Sequence, residues 1–451
     1  KLYSGVMLSA SLFAFATGAQ GPCDITGAAG QRCVAAHSTV RALYGAYDGP
    51  LYNVTRTDGQ SITIGVLQPG GFANIETHDA FCAKGDCLVS NIFDQSPQKN
   101  HLKQRHKLVN ASQHPIHVRD GEKNITVYGL WFDPGFGYHQ DNTTGIATGN
   151  EEESIYAVMS GTHYNGHCCF DYGNSETDDT SDGAGTMEAI YFGNAHWQGN
   201  GGAITDENPD GPWVGADLEC GMYYGGGNET KINNKSKPLP FPFVTLYLRG
   251  RAEGFLLKGG DATQGELETM WDGDRPYCSI AGTCQRHGNH TYQPASKKGA
   301  IILATGGDNS NGAMGKFYEG IMVTGVTNDA TDAAVQANII AVGYANIPLP
   351  PLPPATPVGC YKDGKDEHNG RDLPVCATKK MTTKNPIAEC GRMCLQYAFF
   401  ALENGKECRC GNDVKRKYPE SSDPAKDCSM PCGMNATVVC GGDYFENVYS
   451  H

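Results

Sequence analysis

Residues Ala300-Ile301-Ile302-Leu303-Ala304 form a short apolar run, and Gly306-Gly307-Asp308-Asn309-Ser310 follow it almost at once. An apolar run of this length that ends at turn-forming residues is typical of a buried strand. Similar strand-length runs, separated by Gly, Asn and Asp, lie at 61–67, 125–132, 155–160, 243–248 and 317–326. Because helical patterns are few, the sequence predicts a mainly β protein, as a sandwich or a barrel.

Three short helices are predicted between the strands. The first spans 37–44, and the second spans 331–342 with Thr331 as its N-cap. The third spans 388–399, where Cys390 and Cys394 share one face at i, i+4 spacing.

The chain of 451 residues is longer than one typical domain. A proline-rich stretch at 347–357 predicts a stiff spacer between a large domain at 20–346 and a small module at 358–451. The alternative, a proline-rich loop within one domain, is less favoured because cysteine density rises sharply after the stretch. The net charge of −14 lies wholly before Pro357, which argues against a nucleic-acid partner.

The composition indicates a secreted protein. A basic residue, an apolar run and the small residues Thr17-Gly18-Ala19 predict a signal peptide at 1–19. No later apolar run is long enough to cross a bilayer. Most of the 18 cysteines are therefore expected to form disulfides. Eight glycosylation sequons agree with this route, at Asn53, Asn110, Asn124, Asn142, Asn228, Asn234, Asn289 and Asn435.

Two carboxylates are candidates for catalysis. Asp308 follows a predicted buried strand, and Gly307 beside it leaves room for a ligand. Glu219 ends the run Gly211-Pro212-Trp213-Val214-Gly215-Ala216-Asp217-Leu218-Glu219, in which a strand would direct Asp217 and Glu219 to one face. Hydrolysis of a glycosidic bond needs two such groups. Taken alone, however, the pattern is better explained by ordinary carboxylates in turns.

Adjacent cysteines, Cys168 and Cys169, stand in the run Tyr164-Asn165-Gly166-His167-Cys168-Cys169-Phe170-Asp171-Tyr172-Gly173-Asn174. In an oxidising compartment they can close on each other as a small rigid ring. A redox role lacks the usual Cys-x-x-Cys spacing. Cys278 and Cys284 enclose a short loop and are expected to pair.

These motifs together resemble the family 54 glycoside hydrolases. The resemblance rests on 164–174, on 211–219, on 306–310 with Phe317-Tyr318-Glu319-Gly320, and on Gly21-Pro22-Cys23-Asp24 with Cys33-Val34-Ala35-Ala36-His37-Ser38. The motifs run in the same order from about Gly21 to Ala345. The resemblance implies a β-sandwich and a retaining α-L-arabinofuranosidase.

The resemblance also implies the site. Glu219 would be the nucleophile, and Asp308 the acid/base, which must hold a proton to assist the leaving group. Asp217 and Trp197 would lie in the same pocket, and the Cys168–Cys169 disulfide would pack against the sugar. Structural disulfides would join Cys23 to Cys33 and Cys82 to Cys87.

One residue departs from the family pattern. The residue after the nucleophile is usually an Asn that contacts the sugar, but here it is Cys220. A thiol is a much weaker hydrogen-bond partner than an amide. Two alternatives to the arabinofuranosidase therefore stay open: a hydrolase for another furanoside, and a non-catalytic sugar-binding or structural glycoprotein.

The small module resembles a WSC domain. The resemblance rests on Gly359-Cys360-Tyr361, Cys390-x-x-x-Cys394, 402–412, Cys428-x-x-x-Cys432 and Cys440-Gly441-Gly442. It implies four disulfides and attachment to wall polysaccharide. Cys376 is one cysteine more than that pattern needs. A bridge from Cys376 to Cys220 is less favoured than two free thiols.

No cofactor or metal is expected. His163 and His167 with Asp178, Asp179 and Asp182 could form a metal site, but their glycine-rich context gives no fixed ligand face. A loop or pocket wall is the preferred interpretation. We therefore predict a secreted glycosidase that acts on arabinose-containing polysaccharide and is held on cell-wall glycan by its WSC module.

Overall fold

The structure is a computed structural model, and it describes residues 20–180, 185–195, 211–219, 221–225, 233, 236–275, 295–347, 354–364, 373, 375–378, 381, 383–395, 397–412, 414, 419–433 and 435–451. These residues form two compact units, with the division between Ile347 and Pro348. Among them, no helix is long and apolar enough to cross a bilayer.

The first unit is built almost entirely of strands. Its described strands are β1 (Cys33–Ser38), β2 (Pro50–Arg56), β3 (Ser61–Gly65), β4 (Cys87–Ile92), β5 (Leu102–Gln104), β6 (His114–Asp120), β7 (Lys123–Phe132), β8 (Tyr138–Gln140), β9 (Glu153–Met159), β10 (Asp171–Ser175), β11 (Glu188–Gly193), β12 (Trp213–Asp217), β13 (Met222–Tyr223), β14 (Val244–Arg251), β15 (Gly254–Asp261), β16 (Glu268–Asp274), β17 (Ala300–Leu303), β18 (Gly315–Thr324) and β19 (Ala345–Asn346). Its described helices are α1 (Pro22–Ala28), α2 (Ile75–Cys82) and α3 (Asp329–Ala341).

The strands form two large antiparallel sheets. The first has the order β16-β15-β14-β9-β18-β7-β6-β19, with β1 also paired to β18. The second has the order β13-β12-β11-β10-β17-β8-β5-β4-β2-β3. One core cluster contains Ile155 and Leu246 from the first sheet and Tyr172, Ile190 and Leu303 from the second. The two sheets therefore pack face to face as a sandwich, as the sequence predicted.

The other face of the first sheet is covered by helices. A second core cluster joins Tyr156 and Tyr247 of this sheet to Val335 and Ile339 of α3. Both faces of this sheet are therefore buried, which explains why β9 and β18 are apolar at successive positions.

The predicted helices needed correction at their ends. There is no helix at 37–44, because β1 runs to Ser38, where its partner on β18 is Glu319. The helix predicted from Thr331 begins earlier, since the side chain of Asn328 accepts from the Thr331 amide and is the N-cap.

The second unit is small and rich in disulfides. Its described strands are β20 (Thr356–Lys362), β21 (Val375–Thr378), β22 (Phe399–Glu403), β23 (Glu407–Gly411), β24 (Pro431–Cys432), β25 (Asn435–Val439) and β26 (Phe445–Ser450). Its helices are α4 (Pro386–Met393) and α5 (Pro424–Asp427). The predicted helix at 388–399 ends at Met393, because Phe399 lies on β22.

A five-stranded sheet with the order β20-β26-β22-β23-β21 organises this unit. The predicted spacer ends earlier than expected, because β20 begins at Thr356. The unit buries few large apolar side chains, and its half-cystines supply much of the core. The disulfides join Cys360 to Cys428, Cys390 to Cys408, Cys394 to Cys410 and Cys432 to Cys440.

Candidate active site

The outer face of the second sheet carries the acidic side chains. Tyr172, Ile190 and Ala216 lie in the core between the sheets. Because side chains alternate along a strand, Asp171 on β10 and Asp217 on β12 project to the opposite face. The register of β10, β11 and β12 therefore brings two distant carboxyl groups to one surface.

Glu219 reaches the same surface through a turn. The expectation that β12 would continue to Glu219 is wrong, because the strand ends at Asp217 and Glu219 adopts a left-handed backbone with φ 68°. The Glu219 amide donates to Asp217 Oδ1 at 2.8 Å. The Glu219 carboxylate is buried, and its Oε2 accepts from the Thr186 amide at 2.7 Å and the Thr186 hydroxyl at 2.8 Å.

Asp308 lies on an exposed loop after β17. Its Oδ1 accepts from the Ser310 amide at 2.9 Å and from the Ser310 hydroxyl at 2.5 Å. Asn309 next to it accepts from Arg105 Nε at 2.6 Å. Asp308 thus has solvent access on a fixed loop, whereas Glu219 is held in the interior.

The sequence did not single out two further carboxyl groups here, Asp171 and Glu176. Both are buried, with exposed fractions of 0% and 1%. A side chain at Gly307 would lie only 1.9 Å from Glu176 Oε2. The space at this glycine therefore accommodates Glu176, a packing that no local sequence pattern indicates.

The acidic cluster, Asp171, Glu176, Asp217, Glu219 and Asp308, is electrostatically coupled. Burial, together with the charges of its acidic neighbours, raises the pKa of Glu176 to about 8. Burial raises the pKa of Asp217 to about 7, although a hydrogen bond with Asp171 opposes this. Burial and the neighbouring Asp217 hold the pKa of Asp171 well above its usual value. Glu176 therefore holds a proton at neutral pH, and Asp217 titrates near it.

The two adjacent cysteines form a disulfide beside these carboxyl groups. Their sulfur atoms and a carboxylate oxygen of Asp217 all lie within 4.8 Å of one another. The Ser310 hydroxyl lies 3.0 Å from Cys168 Sγ. Ser310 therefore contacts both the disulfide and Asp308. The Cys168–Cys169 disulfide is thus part of the acidic site.

Some of the other expected disulfides and sequons lie within the described residues, and the rest lie outside them. Disulfides join Cys23 to Cys33 and Cys82 to Cys87. Five sequon asparagines are described, all with solvent access, namely Asn53, Asn110, Asn124, Asn142 and Asn435. The remaining candidates, Trp197, Cys220, Cys278, Cys284, Asn228, Asn234 and Asn289, lie outside the described residues.

The metal ligands considered from the sequence are not brought together in the described part of the chain. His163 Nε2 lies 2.9 Å from the Phe132 carbonyl oxygen and 3.3 Å from Asp133. His167 is exposed, and Asp178 pairs with Lys298. Asp182 is not among the described residues.

A β-sandwich that carries electrostatically interacting carboxyl groups beside a rigid disulfide ring has the features of a glycosidase. The family model described as "Alpha-L-arabinofuranosidase B, catalytic" matches residues 22–345, and the WSC domain model matches residues 357–442. The chain therefore belongs to the α-L-arabinofuranosidase B family, the family 54 glycoside hydrolases, and carries a WSC domain.

Named relatives and solved structures agree with this membership. "Probable alpha-L-arabinofuranosidase B" of Aspergillus terreus is 44% identical over 353 residues, covering 75% of this chain and 65% of the relative. "Alpha-L-arabinofuranosidase" of Hypocrea jecorina is 44% identical over 353 residues, covering 75% and 66%. The chain thus spans somewhat less than two thirds of the length of these relatives.

Two solved structures are similar over most of the chain. A glutamate-to-glutamine mutant of a family 54 arabinofuranosidase, soaked with 4-nitrophenyl α-L-arabinofuranoside, is 39% identical with a TM-score of 0.67 and covers 80% of this chain and 73% of its own. An arabinofuranosidase complexed with arabinofuranosyl-α-1,2-xylobiose is 33% identical with a TM-score of 0.69 and covers 96% and 94%.

Proposed function

We propose that this protein is a secreted, retaining α-L-arabinofuranosidase that removes terminal arabinofuranosyl groups from wall polysaccharide by double displacement. The observation that carries the proposal is the acidic site: a buried Glu219 fixed by Thr186 and an accessible Asp308 fixed by Ser310, with the Cys168–Cys169 disulfide next to Asp217 and Ser310. Family membership supplies the class of sugar.

Glu219 is the proposed nucleophile. An attacking carboxylate must be ionised and held in one orientation, and the two donors of Thr186 favour the charged form of Glu219. The raised pKa values of Asp217 and Glu176 contribute to the same end, because protonated neighbours repel a Glu219 charge less than ionised ones would.

Asp308 is the proposed acid/base. Both hydrogen bonds from Ser310 end on Oδ1, and Oδ2 makes no hydrogen bond with the described residues. Oδ2 is therefore the atom placed to protonate the leaving oxygen and later to activate water. An exposed position suits this role, since the leaving group is a polymer that must extend into solvent.

The remaining residues form the proposed sugar pocket. The disulfide would pack against the furanose ring, Asp217 and Gly307 would line the pocket, and Trp197 and Cys220 would complete it. The complex of a relative with arabinofuranosyl-α-1,2-xylobiose favours an arabinose branch on xylan as the substrate. The WSC domain would hold the enzyme on polysaccharide and raise the effective substrate concentration.

The experiment compares wild type with Glu219→Gln and Asp308→Asn on aryl α-L-arabinofuranosides of different leaving-group pKa. Glu219→Gln should lower kcat at least about a thousandfold on every substrate. Asp308→Asn should lose far less rate on 4-nitrophenyl arabinofuranoside than on a poor leaving group, because a good leaving group needs little protonation. Proton NMR of the first product should show retention at the anomeric carbon.

Wild type that binds arabinose without hydrolysing any furanoside would contradict the proposal and support the sugar-binding glycoprotein. Preferential hydrolysis of another aryl furanoside, such as a galactofuranoside, would instead change the substrate. Cys220→Asn tests the departure from the family pattern directly. It should raise kcat/KM if the thiol has only weakened a sugar contact.

A further inference from the structure

We infer that His139, Asp141 and Asp179 form a binding site for one divalent transition-metal ion, with Zn²⁺ as the best match. One ligand atom from each side chain lies within 4.8 Å of the other two. His139 Nε2 is 3.1 Å from Asp141 Oδ1, and His139 Nδ1 is 3.9 Å from Asp179 Oδ1. One ion binds one nitrogen of an imidazole, and we assign Nε2, the nitrogen nearer to a carboxylate, to a zinc ion with ligand bonds of about 2 Å.

The converging atoms have no other hydrogen-bond partners among the described residues. His139 is 4% exposed, and neither of its ring nitrogens makes a hydrogen bond. Asp141 Oδ1 and Asp179 Oδ1 are also buried atoms without one. Burying polar atoms without partners costs free energy. A cation bound between them would give a partner to one ring nitrogen of His139 and to both carboxylate oxygens.

The charges around the three side chains favour a cation. Arg105 forms an ion pair with Asp179 Oδ2, which leaves Oδ1 directed toward His139. A neutral imidazole is the form that binds metal. Two carboxylates and one guanidinium then leave a net charge of −1 for a divalent ion to balance.

The ligand types distinguish among cations. Ca²⁺ takes six to eight oxygen ligands, whereas one imidazole nitrogen with two carboxylate oxygens suits Zn²⁺. The Asp141 and Asp179 side chains are 39% and 34% exposed, so water can complete the coordination. The histidine is not one considered from the sequence, because only the pairing of β8 with β17 and β5 brings His139 to Asp179.

The site adjoins the acidic cluster. His139 pairs with Ile302 on β17, the strand that leads to Asp308. Asp179 lies three residues after Glu176, and Arg105 joins Asp179 to Asn309. A metal ion here would hold the Glu176–Asp179 segment against the sheet and, through Arg105, steady the loop of Asp308.

The experiment measures Zn²⁺ binding to the glycosylated full chain, without a histidine tag, after treatment with a chelator. Titration calorimetry should find one equivalent bound at this site. His139→Gln and Asp179→Asn should each weaken binding at least about tenfold, since even outer partners of metal ligands cost 10–100-fold. Asp178→Asn is the matched control, because Asp178 pairs with Lys298 and should leave the affinity unchanged.

A crystal of wild type soaked in Zn²⁺ fixes the location by anomalous scattering. The peak should lie about 2.0–2.2 Å from His139 and both carboxylates. A peak only elsewhere, such as on a free thiol, would overturn the inference, as would wild-type affinity that survives both substitutions or no binding at all. If His139→Gln does not fold, Asp141→Asn replaces it, because that side chain lies at the surface.

Discussion

The two faces of the second sheet hold buried carboxyl groups in opposite electrostatic surroundings. On the inner face, Glu188 pairs with Lys297 at 2.8 Å and with Arg275 at 2.8 Å. Burial opposes ionisation there, but these two cations outweigh it and lower the pKa of Glu188. On the outer face, Asp171, Glu176 and Asp217 have no cation partner among the described residues, and their pKa values are raised.

These different surroundings suit the carboxyl groups of the inner face to a role in stability and those of the outer face to a role in function. A buried ion pair is costly to break and does no chemistry, and here Lys297 links Glu188 on β11 of the second sheet to Glu153 on β9 of the first. A buried carboxyl group without a cation partner has a raised pKa and holds its proton more tightly. Hydrolysis of a glycosidic bond uses carboxyl groups with this property. Adjacent positions on β11, Glu188 and Ala189, belong to these two faces.

Removal of the inner cation should have the largest effect. Lys297→Met leaves Glu188 buried beside Glu153 without its lysine, and the free energy of unfolding should fall by about 3–5 kcal/mol. Guanidinium unfolding measures the loss. Lys298→Met is the control, because its partly exposed pair with Asp178 is worth about 0–1 kcal/mol. Equal losses for the two lysines would refute the contrast between faces.

Removal of a neutral hydrogen-bond donor on the outer face should affect kcat more than the free energy of unfolding. Thr186→Val deletes one hydrogen bond to the Glu219 carboxylate, worth about 1.5–3 kcal/mol for a charged acceptor. If Glu219 attacks the sugar, kcat should fall about 10–100-fold. Thr245→Val is the matched control, since the buried Thr245 hydroxyl makes no hydrogen bond with described residues, and its kcat should match wild type. A wild-type kcat for Thr186→Val would show that this hydroxyl does not position Glu219.

The third effect concerns pH and is the smallest of the three when it is taken per pH unit. Burial raises the pKa of Glu176 to about 8 in the folded protein, while the unfolded chain titrates near 4.5. Between these values the folded state holds a proton that the unfolded state has released, so stability falls as pH rises. Wild type should lose up to about 1.4 kcal/mol per pH unit from pH 5 to pH 8 relative to Glu176→Gln.

Urea unfolding at pH 5, 6.5 and 8 measures this slope. Asp178→Asn is the control: its lysine partner lowers the pKa of Asp178, so its titration falls outside the range. Parallel pH profiles for wild type and Glu176→Gln would show that Glu176 is ionised throughout.

The sequence predicted the class of fold, and some of the residues that it selected lie together in the structure. Apolar runs between turn residues identified the strands, since a buried strand is recognisable from its own residues. The helix predicted at 37–44 is absent and the one predicted at 388–399 ends at Met393, because strand pairing with β18 and β23 overrides local preference there. Cys168–Cys169, Asp217 and Asp308 were selected from motifs, and the structure brings them together.

Several site residues left no signal that sequence reasoning could use. Asp171 and Glu176 resemble any polar residue near a strand end, and Thr186 lies in no motif. His139 was passed over because its partner Asp179 is distant along the chain.

Local patterning by itself determined that this chain forms β-strands, divides at a proline-rich stretch and places carboxylates where strands end. Those properties depend on each residue and its near neighbours. Tertiary structure alone decided which carboxyl groups lie next to each other, which meet a cation and which histidine faces two aspartates. Strand register makes these choices, because a shift of one residue would exchange the faces on which Glu188 and Asp217 lie.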